Sequence, residues 1–328
     1  MMAGPAKPAA GADSYQARFE QRWGHLARPH VRALAWLLDA PDLLDPDDPH
    51  WQGRIATLGV LPPAIDDWLR QLDADPSALE AELGQRVYTR LGLYAEKLMA
   101  FYFRAHGMLV AHGLQVRAAR NDTVGEFDFL LDAGPDGVEH IEFATKFYLL
   151  EGAAASRFDT LVGPNLADSL GAKMRKILER QLVLGQHRAA QAILPRPVVR
   201  ARALVKGWLF YPGGAAPRME GITQAHCHGF WCALSELAKR DGDQFVVLPR
   251  LQWLAPYRGQ GPVHSAAGLQ ALLAAQFETA PMPLLVALVR ETTAGTERVL
   301  VETARGGVVP DNWRARAALR QQAGERPD

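Results

Sequence analysis

The sequence predicts an α/β protein whose middle runs helix, strand, strand, strand, helix, strand. Three observations carry that prediction. Apolar residues recur at helical spacing over residues 83–106 and again over 166–184. Two-residue alternation marks strands at 114–119, 127–131 and 138–150, and a fourth at 202–211. A Gly-Pro-Asp-Gly turn joins the second strand to the third.

The elements follow in order. Residues 1–13 are rich in Ala, Pro and Gly and lack a run of large apolar residues, so they read as a disordered tail and not as a signal peptide. A helical region is expected over 14–83. Within it HVRALAWLL sets Val31, Leu34, Ala35 and Leu38 on one face, and DAPDLLDPDDPHW is a proline-broken acidic loop. That loop lacks the glycine and terminal glutamate of a calcium-binding EF-hand and reads as a helix-capping segment. The core is expected over 84–211. Its first helix carries Tyr88, Leu91, Ala95, Leu98 and Tyr102 in one stripe, with Glu96 beside it and Gly107 as the stop. Gly163-Pro164-Asn165 introduces the second core helix and Gly185 closes it. After the PGGAAP turn, 212–312 reads as a further α/β region, with helices at 230–239 and 266–277 and strands at 245–248 and 284–289. Residues 313–328 read as a basic, fraying tail.

At 328 residues, 48% hydrophobic and 22% charged, the chain can bury a sizeable core. Lys plus Arg equals Asp plus Glu at 36 each, so any attraction to nucleic acid or lipid must be local. Two cysteines exclude a disulfide framework, and no apolar run spans a bilayer. A cytoplasmic location without membrane attachment is expected.

The two strands joined by the tight turn carry acids. Alternation points Glu126, Asp128 and Leu130 one way and Phe127, Phe129 and Leu131 the other, towards the core. In the next strand Glu142, Ala144, Lys146 and Tyr148 share one face, and Ile141, Phe143, Thr145, Phe147 and Leu149 the other. Paired as a hairpin, the strands bring Asp128 near Glu142 with Lys146 further along. Neighbouring carboxylates repel unless a cation or a shared proton intervenes, and hard oxygen ligands suit Mg²⁺ or Mn²⁺.

Glu96 on the first helix, Asp128 on one strand, and Glu142 with Lys146 on the next, followed by a helix and a strand, resemble the PD-(D/E)XK nuclease superfamily. RLGLYAEKL, EFATKFYLL, GPNLADSL, HCHGFW and LQWLAP are similar to a bacterial family catalogued as a domain of unknown function, DUF1853. The superfamily resemblance implies a restriction-endonuclease-like core of order αβββαβ, a mixed central sheet flanked by helices, with an N-terminal helical extension and a C-terminal α/β addition. It implies divalent-metal-dependent hydrolysis of DNA phosphodiesters. Asp128 and Glu142 would be metal ligands, Glu96 an auxiliary acid completing the metal set from the helix, and Lys146 the catalytic lysine. The usual motif has its lysine two residues after the second acid, where this chain has Ala144. Four strand residues separate Glu142 from Lys146, about 13 Å. A bulge, a lysine from the next helix, or loss of catalysis would each account for that displacement. A catalytically inactive module binding nucleic acid or a protein partner is the alternative.

Between 173 and 206 stand Lys173, Arg175, Lys176, Arg180, Arg188, Arg196, Arg200, Arg202 and Lys206 against one acid, Glu179. Lys173, Lys176 and Arg180 fall at i, i+3 and i+7, a helical stripe able to neutralise phosphates. The bland counterpart is a solvated helix face. His226, Cys227, His228 and Cys232 lack zinc-site spacing, so a structural hydrogen bond from His228 is expected. Gly259 and Gly261 follow no clear strand and mark a turn. No nucleophile elbow, phosphate loop or H-E-x-x-H helix is present.

Overall fold

A computed structural model of the chain describes residues 14–85, 87–119, 122–152, 158–294 and 296–324. The expected disordered tail at 1–13 lies outside the described residues, as do the last four residues of the expected basic tail.

The N-terminal region forms α1 (Tyr15–Trp23), α2 (Pro29–Asp39), α3 (Ala64–Ala74) and α4 (Ser77–Leu83). The predicted stripe of α2 is buried, but so are Arg32, Ala33, Trp36 and Leu37, so this helix is enclosed on every side. Burial of Arg32 is tolerated because its guanidinium donates to the carbonyls of Trp23, Leu26 and Pro256. The acidic loop closes on Asp48, which accepts from the His50 and Gly221 amides.

The next helix, α5 (Leu91–Ala105), starts eight residues later than the apolar stripe predicts. Gly84, at φ 65°, ends α4 instead, and the Tyr88 hydroxyl donates to the Leu83 carbonyl across the loop. Three strands follow, β1 (Leu109–Ala119), β2 (Asp122–Asp132) and β3 (Val138–Leu150), then the two-residue β4 (Leu161–Val162). The expected helix over 166–184 is broken. Leu166 adopts φ 59°, Ser169 caps α6 (Leu170–Lys176), and a π-helical turn over Ile177–Gln181 succeeds it. A short α7 (Arg188–Gln191) leads into β5 (Val198–Pro212).

The C-terminal region continues the same sheet. It comprises β6 (His228–Ala233), β7 (Gln244–Val247), β8 (Arg258–Gly259), β9 (His264–Ser265), α8 (Ala266–Thr279), β10 (Leu284–Ala294), β11 (Glu297–Val309) and α9 (Trp313–Gly324). The helix expected at 230–239 is a strand followed by a 3-10 turn, and β11 has no counterpart in the sequence prediction. The expected fraying tail is a helix over most of its length. Buried Trp313 anchors it, donating to the Pro164 carbonyl and meeting Trp231 edge-on.

The result is a mixed α/β fold with a large mixed sheet flanked by helices. Strand order is β1-β2-β3-β5-β6-β11-β10-β7-β9, with β4 on β3 and β8 on β11. β1, β2 and β3 pair antiparallel, whereas β3, β5, β6 and β11 run parallel. Strand β3 alternates as expected. Ile141, Phe143, Phe147 and Leu149 join Leu204 and Trp208 under α2 and α5, while Ala144 and Tyr148 join Ala203, Val205, Leu170, Met174 and Ile177 under α6. No described helix is long and apolar enough to cross a membrane.

Candidate functional site

The site lies where β2 leaves β3. Their ladder stops at Phe129 opposite Ile141, and one further step of that register sets Asp128 opposite Glu142. The expected alternation fails here. Phe129 packs edge-on to Phe103 in the main core, but Phe127 meets His140 on the other side of the sheet and packs with Leu130. Gly113 of β1, at φ 64°, falls opposite this kink by the β1–β2 register. Asp128 turns towards β3, where its Oδ2 accepts from the Phe143 amide at 2.9 Å, taking the place of a ladder bond.

Glu142 is 2% exposed. Its Oε1 accepts from Gln181 Nε2, whereas its Oε2 is buried without a hydrogen-bond partner. The nearest base is His140 Nε2 at 3.9 Å. Burial holds the His140 pKa down to about 4, so that ring is neutral at pH 7 and cannot offset the acid. Burial first, and then the charge of Asp128, raise Glu142 far above the ordinary carboxylate range. Asp128 is also raised, by burial above all, against the opposing hydrogen bond from Phe143. Glu96 of α5 adds to both shifts, and its Oε1 lies 2.7 Å from His112 Nε2. The structure thus brings Asp128 and Glu142 together and keeps Glu96 within electrostatic range, engaged by an imidazole that stacks on Phe129. Among the described residues, no three His, Cys, Asp or Glu side chains converge as one metal-binding group.

Two oxygen donors still fit a hard cation, because Mg²⁺ keeps several of its waters and takes one or two carboxylates from a protein. The orphaned Glu142 oxygen beside a second acid is the observation that favours such an ion. An unpaired buried acceptor is costly, and a cation would satisfy it.

The cations divide. Lys146 makes no ion pair with Glu142 among the described residues, although the Glu142 charge acts on it; it lines a cleft of about 640 Å³ and lies 6.0 Å from the Tyr148 ring, while Ala144 occupies the expected lysine position. Lys173 instead places its Nζ 3.5 Å from Gln181 Oε1, at the far end of the amide that donates to Glu142. Its charge opposes the upward shift of both acids. Lys176 acts on Glu142, and Arg180 is exposed within the π-helical turn, so the predicted three-residue stripe does not persist as one straight helical face. The later basic residues are otherwise occupied. Arg196 pairs with Asp132, Arg200 and Arg202 with Glu139, and buried Lys206 with Asp42.

Gln181, His112 and His140 were not marked by the sequence. Alternation gives no signal for His112, which stacks on Phe129 while Val110, Leu114 and Val116 pack on the other side of the sheet, and the π-helical turn that aims Gln181 at Glu142 has no readable pattern. At the HCHGFWC segment, Tyr211 and Thr223 engage His226, and the His228 Nδ1 lies 3.1 Å from the His226 carbonyl, consistent with the expected structural role. Burial raises both cysteine thiols, to about 12 for Cys227 and about 11 for Cys232, so both are protonated near neutrality.

No curated protein and no solved structure matches the chain. The domain of unknown function DUF1853 matches residues 32–309, which include the acid pair, its lysines and every strand of the sheet. The chain belongs to the DUF1853 family.

Proposed function

We propose that the chain is a divalent-metal-dependent nuclease hydrolysing DNA phosphodiesters, built on a restriction-endonuclease-like core. The observation that carries this reading is the buried Asp128–Glu142 pair with an orphaned oxygen. The element order α5-β1-β2-β3-α6-β5, antiparallel through β3 and parallel into β5, supports it as the topology of the PD-(D/E)XK resemblance. Asp128 and Glu142 would hold Mg²⁺ or Mn²⁺, which when bound supplies charge stabilisation and a more acidic water. Phe143 fixes Asp128, and Gln181 fixes Glu142. Lys173 takes the role assigned to Lys146, orienting the attacking water and neutralising charge as it develops on the phosphate. Exposed Lys176 and Arg180 steady the flanking backbone, in a salt-dependent manner.

The experiment is cleavage of linear and circular DNA by the full chain with Mn²⁺ or Mg²⁺. Asp128→Ala and Glu142→Ala should each abolish metal-dependent cleavage with circular dichroism unchanged, and Lys173→Gln should slow it by about 10²-fold. Full activity in both acid variants would remove these residues from catalysis. Ala144 in the usual lysine position favours a second reading, a silent module binding nucleic acid. Calorimetry separates the two, because a silent module need not show Mn²⁺ binding that Asp128→Asn removes.

A further inference from the structure

Strand β3 has an open edge. On the side facing β2 it is paired over Val138–Ile141, and on the same side Leu149 and Leu150 meet β4. Between them, among the described residues, no strand covers it. The Phe143 amide points out of this edge to Asp128, and by the two-residue repeat Thr145 and Phe147 point their main-chain groups the same way. The edge borders the cleft that holds Lys146.

That cleft gathers positive charge. Lys146 sits largely buried within it, and exposed Arg90 and Arg250 stand in its lining; none of the three has an ion-pair partner among the described residues. Arg250 is set over the Trp253 ring at 5.0 Å. The first turn of α5 also lines the cleft, and Arg90 gives it no side-chain cap, so among the described residues its first amides have no side-chain acceptor. The acid nearest Lys146 in the lining is Asp168, already accepting from the Tyr148 hydroxyl at 2.9 Å. Burial first, and Lys173 next, hold the Lys146 pKa down to about 8, against the opposing charges of Asp168 and Glu142. Two guanidinium forks, an ammonium and uncapped helix amides together match the oxygens of a phosphate.

We propose that this cleft is a phosphate seat, in which Lys146, Arg90 and Arg250 grip the nucleic-acid backbone a few nucleotides from the bond addressed by Asp128 and Glu142. The proposal rests on the nuclease reading for its substrate. The separation of Lys146 from Glu142, about 13 Å along β3 and awkward for catalysis, then acquires a use, since stacked nucleotides rise by about 3.4 Å each.

The test is competitive acylation of Lys146 by acetic anhydride in the metal-free full chain, read by peptide mass spectrometry. Inorganic phosphate, compared with chloride at equal ionic strength, should protect Lys146. Arg90→Gln and Arg250→Gln should each weaken the phosphate concentration dependence about tenfold, the loss of one charge-assisted hydrogen bond. Lys146→Gln, followed by calorimetry with phosphate, should lose a similar factor. Protection by a 5′-phosphorylated oligonucleotide alone assigns the seat to a strand end, and protection by the 5′-hydroxyl form as well assigns it to internal phosphodiesters. Both support the seat. Acylation unaffected by phosphate and by both oligonucleotides overturns it. Asp128→Asn should retain protection, so cleavage and the seat can fail separately; loss of protection there would overturn the seat as a distinct site.

Discussion

Two buried glutamates, one in each half of the sheet, are solvated in opposite ways. Glu302 of β11 is 4% exposed and receives the Arg305 guanidinium through Nε at 3.0 Å and Nη2 at 2.8 Å, the Tyr257 amide at 2.8 Å, and the Gln16 amide. Arg305 spends its remaining donors on the carbonyls of residues 253 to 255. Glu142 of β3 is equally buried, but it has a second acid for a neighbour, a neutral imidazole nearby and an oxygen with no donor. A buried acid whose lone pairs are all met is structural. One that lacks a donor beside a like charge is poised for a cation from outside the chain.

The largest expected break in this comparison is Glu302→Gln. Arg305 would be left as an uncompensated buried charge, and unfolding in urea should show a loss of about 3–5 kcal/mol. Glu142→Gln removes a repelled acid and should leave the metal-free protein as stable as before, or more so. A comparable loss at both positions would erase the distinction.

The pH dependence sharpens it at a smaller scale. A carboxyl whose folded pKa is raised contributes stability below the ordinary carboxylate value, and loses it as pH climbs through the raised one. His140 and His226, both held down to about 4, have the opposite sign, but their contribution is complete once pH passes about 6.5. Between pH 6.5 and 8 the Tm of the metal-free protein should therefore fall, by about 2 °C or more, and Glu142→Gln should flatten that fall. Mn²⁺ should restore more stability at pH 8 than at 6.5, because binding must displace protons. The smallest effect is expected at Gln181→Leu. It frees Glu142 Oε1 and uncouples Lys173, and should weaken Mn²⁺ binding about tenfold by calorimetry without changing the fold.

The acids and the order of the elements around them were legible in the sequence because alternation on β3 survives intact, from Ile141 to Leu149. What was lost came from tertiary interactions that override local pattern. Phe127 and Phe129 read as one face, yet the kink at Asp128 sends them to opposite sides, and that kink is what frees Asp128 for the Phe143 amide. The periodicity over 166–184 hides a π-helical turn, which changes where Arg180 points and brings Gln181 to Glu142. Lys173 was visible as a basic residue, but its proximity to the acids depends on how α6 packs over β3. Strand β11 escaped notice because Glu302 and Arg305 interrupt its apolar pattern, and only in the folded chain does each become the other's buried partner.

The short strand β6 has a consequence for the timing of assembly. It joins the two halves of the sheet, reaching β5 on one side and, through Phe230 opposite Gly306, β11 on the other. During synthesis the acid-bearing strands leave the ribosome long before residue 306 does, so β6 must wait with one flank unzipped. Contacts so distant in sequence close slowly. A growing chain stalled in that interval would expose a parallel strand edge suited to chaperone capture, and to mispairing when no chaperone is at hand.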